Sequence, residues 1–323
     1  MKTLFELAQA DERITLIVGD LGFGVVTPFM ERLPKQFVNA GVAEQNMTGL
    51  AVGMALSGKI VFTYSIANFP TLRCLEQVRN DVCYHNANVK IVAVGGGMAY
   101  GSLGISHHTT EDIAIMRALP NMVVVAPGDP AEARMVTRAV ADWDGPCYLR
   151  LGRDGEPAVH SCEPELRLGR AIRVRDGSDL TLIVTGSLLS EAVAAADMLA
   201  GRGIHARVLS MSTIKPLDTE AVLKAARETS TIITVEEHSV IGGLGGAVAE
   251  VLMESDVRPV AFKRIGLNDT FSSKVGDQGY LRAEYGLDAA GILRTVESLL
   301  GSDVAAHVEP RKSGPTSTRP ATV

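Results

Sequence analysis

The chain has 323 residues, 46% of them hydrophobic and 21% charged, with a formal net charge of −6; that length can hold two domains of ordinary size, each with its own core. The acidic balance, with a pI near 5.7 and no block of Lys or Arg, argues against a general nucleic-acid surface. Cys74, Cys83, Cys147 and Cys162 show neither CxxC nor zinc-ligand spacing, the opening MKTLFELAQADERI lacks a signal-peptide apolar region, and no apolar run approaches the ~20 residues of a membrane span, so free thiols in a reducing cytoplasm are expected.

Residues 4–10 read as a helix and 14–18 as a strand that runs into the glycine-rich turn GDLGFG. In FVNAGVAEQNMTGLAVGMAL, residues 37–56, a short apolar strand turns sharply into a helix and delivers Glu44 at the turn. Ala43, Met47, Leu50, Ala51 and Met54 share one helical face. Gly49 and Gly53 lie on a neighbouring stripe, where missing Cβ atoms let a second backbone approach, at a cost of ~1 kcal/mol each relative to Ala. Further strands are expected at 59–64, 89–94, 122–126 and 146–151, alternating with helices at 71–84, 111–118 and 130–141. Alternation of this kind predicts a parallel sheet with helices on both faces.

Residues 154–165, DGEPAVHSCEPE, hold two prolines, a glycine and little apolar content, the composition of a linker. The alternation then restarts with strands at 180–185, 206–209 and 231–235 and helices at 191–199, 219–228 and 246–253. The predicted organisation is a first domain over 1–153, a linker over 154–168, a second domain over 169–301 and a disordered tail over 302–323, rich in Pro, Ser and Thr. The fold class is α/β, with two doubly wound, mostly parallel sheets.

Ligands of such sheets sit beyond the carboxyl ends of the strands, which points to the turns after Val18, Asn39, Tyr64, Val94 and Ala126. Glu44 follows the second of these; on position alone it equally suits a first-turn acid interacting with the helix dipole. YSIANFPTLR puts Tyr64 and Phe69 at a strand end, with Pro70 suited to open a helix. GGGMAYGSLGISHHTTED is a long glycine-rich loop carrying His107 and His108, either loop histidines or hydrogen-bonding groups for an anionic or polyhydroxylated ligand. Arg150 and Arg153, in YLRLGRDG, suit bidentate phosphate or carboxylate binding or a salt bridge near the linker. GGLGG in EEHSVIGGLGGA lacks the G-x-G-x-x-G order and reads as structural, and no GxxxxGK[ST], HExxH or GxSxG motif is present.

GVAEQNMTGLAVGMALSGK, HHTTEDIAIMRALPNM and VVAPGDPAEA together resemble the pyrimidine-binding domain of transketolase-like, thiamine-diphosphate-dependent enzymes. VTGSLLSEAVAAADMLAGRGIHARVLSMSTIKPLD and TVEEHSVIGGLGGAVAE resemble the carboxy-terminal domain of that superfamily. The diphosphate-binding domain, with its Gly-Asp-Gly motif, has no counterpart here. The resemblance is therefore to the small subunit of a split transketolase. It implies a separate diphosphate-binding subunit, two of each chain, and Mg2+ or Ca2+ held by that partner. It also implies a catalytic Glu44 that hydrogen-bonds N1′ of the aminopyrimidine, Phe69 stacked on that ring with Tyr64 beside it, and His107, His108 and Arg153 facing a sugar or sugar phosphate. His107 is also implied to take part in catalysis. The expected reaction is transfer of a two-carbon ketol unit from a ketose to an aldehyde or ketone. The alternatives are the β chain of a 2-oxo-acid dehydrogenase, a deoxyxylulose-phosphate-synthase-like carboligase, or a non-catalytic scaffold subunit.

Two departures bear on substrate. Transketolases usually read Asp-Gly-Pro-Thr-His-Gln where this chain has Leu103-Gly-Ile-Ser-His-His108, and near the amino terminus only Lys2 stands where relatives often have a phosphate-binding arginine. Both point away from an ordinary pentose phosphate, toward a modified or nucleotide-linked sugar.

Overall fold

The computed structural model describes residues 1–304. Helix α1 (Lys2–Ala10) leads into β1 (Ile14–Val18), α2 (Thr27–Arg32), β2 (Phe37–Asn39), α3 (Glu44–Leu56) and β3 (Ile60–Ile66). The short helices α4 (Asn68–Thr71) and α5 (Leu75–Gln77) and a π-helical segment, Val78–Cys83, then precede β4 (Val89–Val94). After a 3-10 segment, Gly101–Ser106, come α6 (Asp112–Ala118), β5 (Val123–Val125), α7 (Pro130–Asp142) and β6 (Cys147–Leu151). The second half runs β7 (Ile172–Arg175), β8 (Leu180–Val184), α8 (Leu189–Ala200), β9 (Ala206–Ser210), β10 (Thr213–Lys215), α9 (Thr219–Glu228) and β11 (Thr231–Ser239). It ends with α10 (Leu244–Met253), β12 (Ala261–Leu267), α11 (Gln278–Glu284) and α12 (Ala289–Val304).

The strands form a seven-stranded sheet in the order β10-β5-β6-β4-β3-β1-β2 and a five-stranded sheet in the order β12-β11-β8-β9-β7. Every pairing is parallel except β10 with β5 and β7 with β9. Alternate residues of one strand serve opposite faces: Ile60 and Phe62 join one core cluster while Val61 joins another. With both faces covered, β1, β4 and β8 are buried throughout, which is why they read as unbroken apolar runs rather than alternating ones. Among the described residues no helix is long and apolar enough to cross a membrane.

One expectation needs correction. The single helix over 71–84 is broken: Cys74 leaves helical geometry at φ −107°, ψ 13° and a π-helical turn follows. One strand of the second half, β10, crosses over to the larger sheet and pairs Thr213 with Val125. Helix α12 runs to Val304 past a kink at Gly301; the tail expected over 302–323 lies, from residue 305 on, outside the described residues.

In the larger sheet β1 lies between β2 and β3, so the loops leaving β1 and β3 part at a switch in strand order. That opens a crevice at their carboxyl ends.

Candidate active site

The turn between β2 and α3 is shaped by local hydrogen bonds. Asn39 accepts from Asp20 N at 3.1 Å and Gly41 N at 3.0 Å, and donates to Asp20 Oδ1 at 2.9 Å. Gly41 takes φ +71°, a conformation in which a Cβ is strained. The result places Glu44 as the first residue of α3, with its side chain only 2% exposed. Its Oε2 accepts from Arg73 Nη1 at 2.8 Å. Among the described residues Oε1 takes no hydrogen bond, so one carboxyl oxygen is free for a donor from outside the chain.

Arg73 lies four residues after Phe69, and its guanidinium sits 4.7 Å from the Phe69 ring centroid. Two hydrogen bonds tie this segment to its neighbours: Gln45 donates to Arg73 O at 3.0 Å and Asn68 donates to Ser106 O at 2.8 Å. The second brings the histidine loop to Phe69. His107 packs edge-on against that ring at 5.5 Å between centroids and against Tyr100 at 5.7 Å, while Arg153 lies 5.5 Å from the Tyr100 ring. Glu44, Arg73, Phe69, His107, Tyr100 and Arg153 thus form one continuous line across the carboxyl ends of the strands. Tyr64, half-buried, lies close enough to Tyr100 to raise its own phenol pKa, after the larger effect of burial.

Arg153 is 58% exposed and is held by Asp154 only at 3.7 Å. It borders a cleft of about 200 Å3 shared with Gly128, Asp129 and Ser187. A larger cleft, about 530 Å3, lies at the opposite, amino ends of the strands, beside Arg13 and Lys59. There the parallel-sheet rule places no ligand.

Two sequence-predicted residues are not part of this line. His108 is buried, and its Nε2 donates to Gly101 O at 2.8 Å. It fastens the loop to itself instead of facing the open side with His107. Arg150 is neither a phosphate ligand nor a linker salt bridge. It is buried, donating to Asp112 Oδ2 at 2.7 Å, Thr109 O at 2.9 Å and Glu237 O at 3.0 Å. Asp112 Oδ2 also accepts from Tyr148 at 2.6 Å.

Sequence reasoning missed Arg73 and Tyr100. The signal for Arg73 was its four-residue spacing from Phe69 within YSIANFPTLR, which brings its guanidinium back over the Phe69 ring across the end of α4. The signal for Tyr100 was GGG itself. A Cβ on Gly95 would collide with the Tyr100 ring, one on Gly96 would lie 2.5 Å from Arg150 Nε, and one on Gly97 2.6 Å from Glu237 Oε1. Each glycine makes room for one side chain.

The segment after Arg153 is strapped to the start of α7. Asp129 caps that helix through Glu132 N at 2.8 Å and accepts from the backbone of Val159 and His160 at 3.0 and 2.9 Å. His160 Nε2 meets Glu132 Oε1 at 2.9 Å, and this bond raises the His160 pKa above its ordinary 6.5. A raised folded-state pKa means that the protonated ring stabilises the fold. That contribution is complete below pH 6.5 and is lost as pH rises through the folded value. Denaturation midpoints are therefore expected to fall as pH rises above 6.5, with a shallower slope in His160→Gln; identical slopes would show that the strap does not titrate.

Comparison with known proteins places these features. The model for the transketolase pyrimidine-binding domain matches residues 1–156, and that for the transketolase C-terminal domain matches residues 169–292. The chain belongs to the transketolase family. Over 91% of its length it is 45% identical to one chain of an apulose-4-phosphate transketolase from Phocaeicola vulgatus, 93% of which is covered. It is 41% identical over 92% to a 6-deoxy-6-sulfo-D-fructose transketolase subunit from a Clostridium species, of which 91% is covered. A solved structure described as a split-gene transketolase, inactive beta4 tetramer, superposes with a TM-score of 0.84 at 41% identity, covering 93% of this chain and 95% of that one. The chain is thus the C-terminal-half type of a split transketolase, with the two-sheet architecture of that half.

Proposed function

We propose that this chain is the pyrimidine-binding subunit of a thiamine-diphosphate-dependent transketolase that moves a two-carbon ketol unit from a ketose to an aldehyde or ketone, and that it acts only with a separate diphosphate-binding subunit. The observation that carries this reading is the pairing of a buried Glu44, with one oxygen free, and a half-buried Phe69 ring, both held by Arg73. These groups fit an aminopyrimidine: a flat ring can lie on Phe69 while the Glu44 carboxyl exchanges a proton with ring N1′. Arg73, lying against both, would have to make room for it. Bound there, thiamine diphosphate supplies a nucleophilic carbon that no side chain offers. Phe69 and Tyr64 shape the ring's pocket, and His107, Tyr100 and Arg153 hold the sugar, with Arg153 placed for an anionic end. The diphosphate and its Mg2+ or Ca2+ are assigned to the partner.

The open side of the site supports that division. Phe23 and Val42, on the turns beside Glu44, are 81% and 74% exposed. On α3, Gly49, Leu50 and Gly53 face outward, and a Cβ at either glycine would touch nothing within 4 Å. An apolar face around a half-built site suits the docking of a second chain. The relatives named above act, by their names, on a branched-sugar phosphate and a sulfo-sugar. Both are modified sugars, in keeping with Leu103 replacing the usual aspartate.

The test is co-purification with a diphosphate-binding transketolase subunit from the same genome, followed by a panel of ketose phosphates, sulfo-ketoses and nucleotide sugars assayed with and without thiamine diphosphate. Cofactor-dependent carbon–carbon transfer by the mixture and by neither chain alone is expected. Turnover by this chain alone, or none on any ketose with the cofactor bound, would overturn the proposal.

A further inference from the structure

We infer that Glu237, at the end of β11 in the second domain, is a positioning residue for the substrate wall of the first. The inference rests on the proposed role of His107 and Arg153 in holding the sugar. Glu237 is buried, and its Oε1 accepts from Met98 N at 2.7 Å. Gln278 Nε2 donates to both carboxylate oxygens, at 2.9 and 3.1 Å, and Arg282 Nε donates to Oε2 at 2.6 Å. Arg282 is itself fixed by Ser187 at 2.7 Å. The carboxylate therefore has no slack: it is gripped by two side chains of α11 and held to one backbone amide across the domain boundary.

That amide begins the segment that carries the Tyr100 ring. Met98 N is held by Glu237, and three residues later Gly101 lies so close to the second domain that a Cβ would fall 2.7 Å from Gly276 O. The run 98–101 is thus clamped by the second domain at both ends. Gly97 and Thr109 exchange two backbone hydrogen bonds at 2.8 Å, which ties the same run to the histidine side of the loop. Between the clamps the Tyr100 ring packs on His107 and under Arg153. Movement at Met98 moves that ring, and with it both groups proposed to hold the sugar, while Glu44 and Phe69 stand on other loops. Displacements of about 1 Å in such walls can cost up to about 100-fold in reactivity.

The experiment uses the chain assembled with its diphosphate-binding partner and compares wild type, Glu237→Ala and Glu237→Gln. In Glu237→Ala the KM for the ketose donor is expected to rise about 10-fold or more, with kcat within about 3-fold and thiamine diphosphate affinity by calorimetry unchanged. Glu237→Gln, whose amide oxygen still accepts from Met98 N, recovers most of the loss. A second readout needs no turnover. The His107 ring-proton NMR signal of this chain, assigned with His107→Gln, is expected to shift in Glu237→Ala as the Tyr100 ring moves. A His107 shift with a wild-type complex inactive on every ketose would support the positioning role while overturning the proposed function. An unmoved signal, or kcat and cofactor affinity falling together at constant KM, would overturn the positioning role. Should Glu237→Ala fail to fold, Gln278→Ala, which loosens the carboxylate and leaves its Arg282 pair, decides: a smaller shift of the same signal supports the inference and no shift overturns it.

Discussion

Replacing Glu44 with alanine is expected to lower kcat of the assembled enzyme by roughly 10²–10⁴-fold, the usual worth of a positioned general acid or base, while leaving the fold nearly untouched. The asymmetry follows from what surrounds the carboxyl. Its protein partner is Arg73, whose side chain is 49% exposed, so when Glu44 is truncated the guanidinium rehydrates and no buried charge is stranded. A half-exposed ion pair is worth only about 0–1 kcal/mol. Glu44→Gln keeps the shape but not the titratable proton, and is expected to lose most of the same activity. Steady-state kinetics in the reconstituted complex, with the denaturation midpoint as a control, check this. Either variant at full turnover would remove Glu44 from the chemistry.

The second large effect concerns stability. Arg150→Met is expected to destabilise the fold by about 3–5 kcal/mol, because it strands Asp112, whose carboxylate is fully buried, without its positive partner. Thr109 O and Glu237 O lose a donor at the same time, which loosens the contact between the two sheets. Arg153→Met, three positions along, is expected to stay within about 0.5 kcal/mol and instead to weaken binding of a donor with an anionic end. Urea denaturation of both variants, paired with donor KM for Arg153→Met, separates the roles. Equal losses of stability would contradict them.

That pair of arginines also marks how far the sequence was legible. YLRLGRDG presents two guanidiniums at one strand end, and either could grip a phosphate. Only the packing of α6 and β11 around Arg150 distinguishes them, because its partners Asp112 and Glu237 stand 38 and 87 residues away. The burial of His108 was hidden for the same reason: its backbone acceptor, Gly101 O, becomes near only when the loop folds back on itself. Parallel strands buried on both faces were plain as apolar runs. Except for β2, edge strands were not: β12 carries exposed Lys263 and Arg264 at its centre, and the three-residue β10 is a strand only because β5 pairs with it. A strand whose partner lies far along the chain, with one face or edge open, leaves no periodic apolar signature.

The sequence by itself determined the two α/β layers, the order of the loops at the carboxyl ends of the strands, and the placing of Glu44 and Phe69. Each of these is set by local pattern: apolar runs, and glycines where a turn needs positive φ. The tertiary structure alone decided that Arg73 joins Glu44 to Phe69, that Tyr100 joins His107 to Arg153, and that three consecutive glycines exist to admit Tyr100, Arg150 and Glu237. The physical reason is that a glycine's turn-making is written in its own backbone, whereas its close-packing role is written in the side chains that arrive from elsewhere.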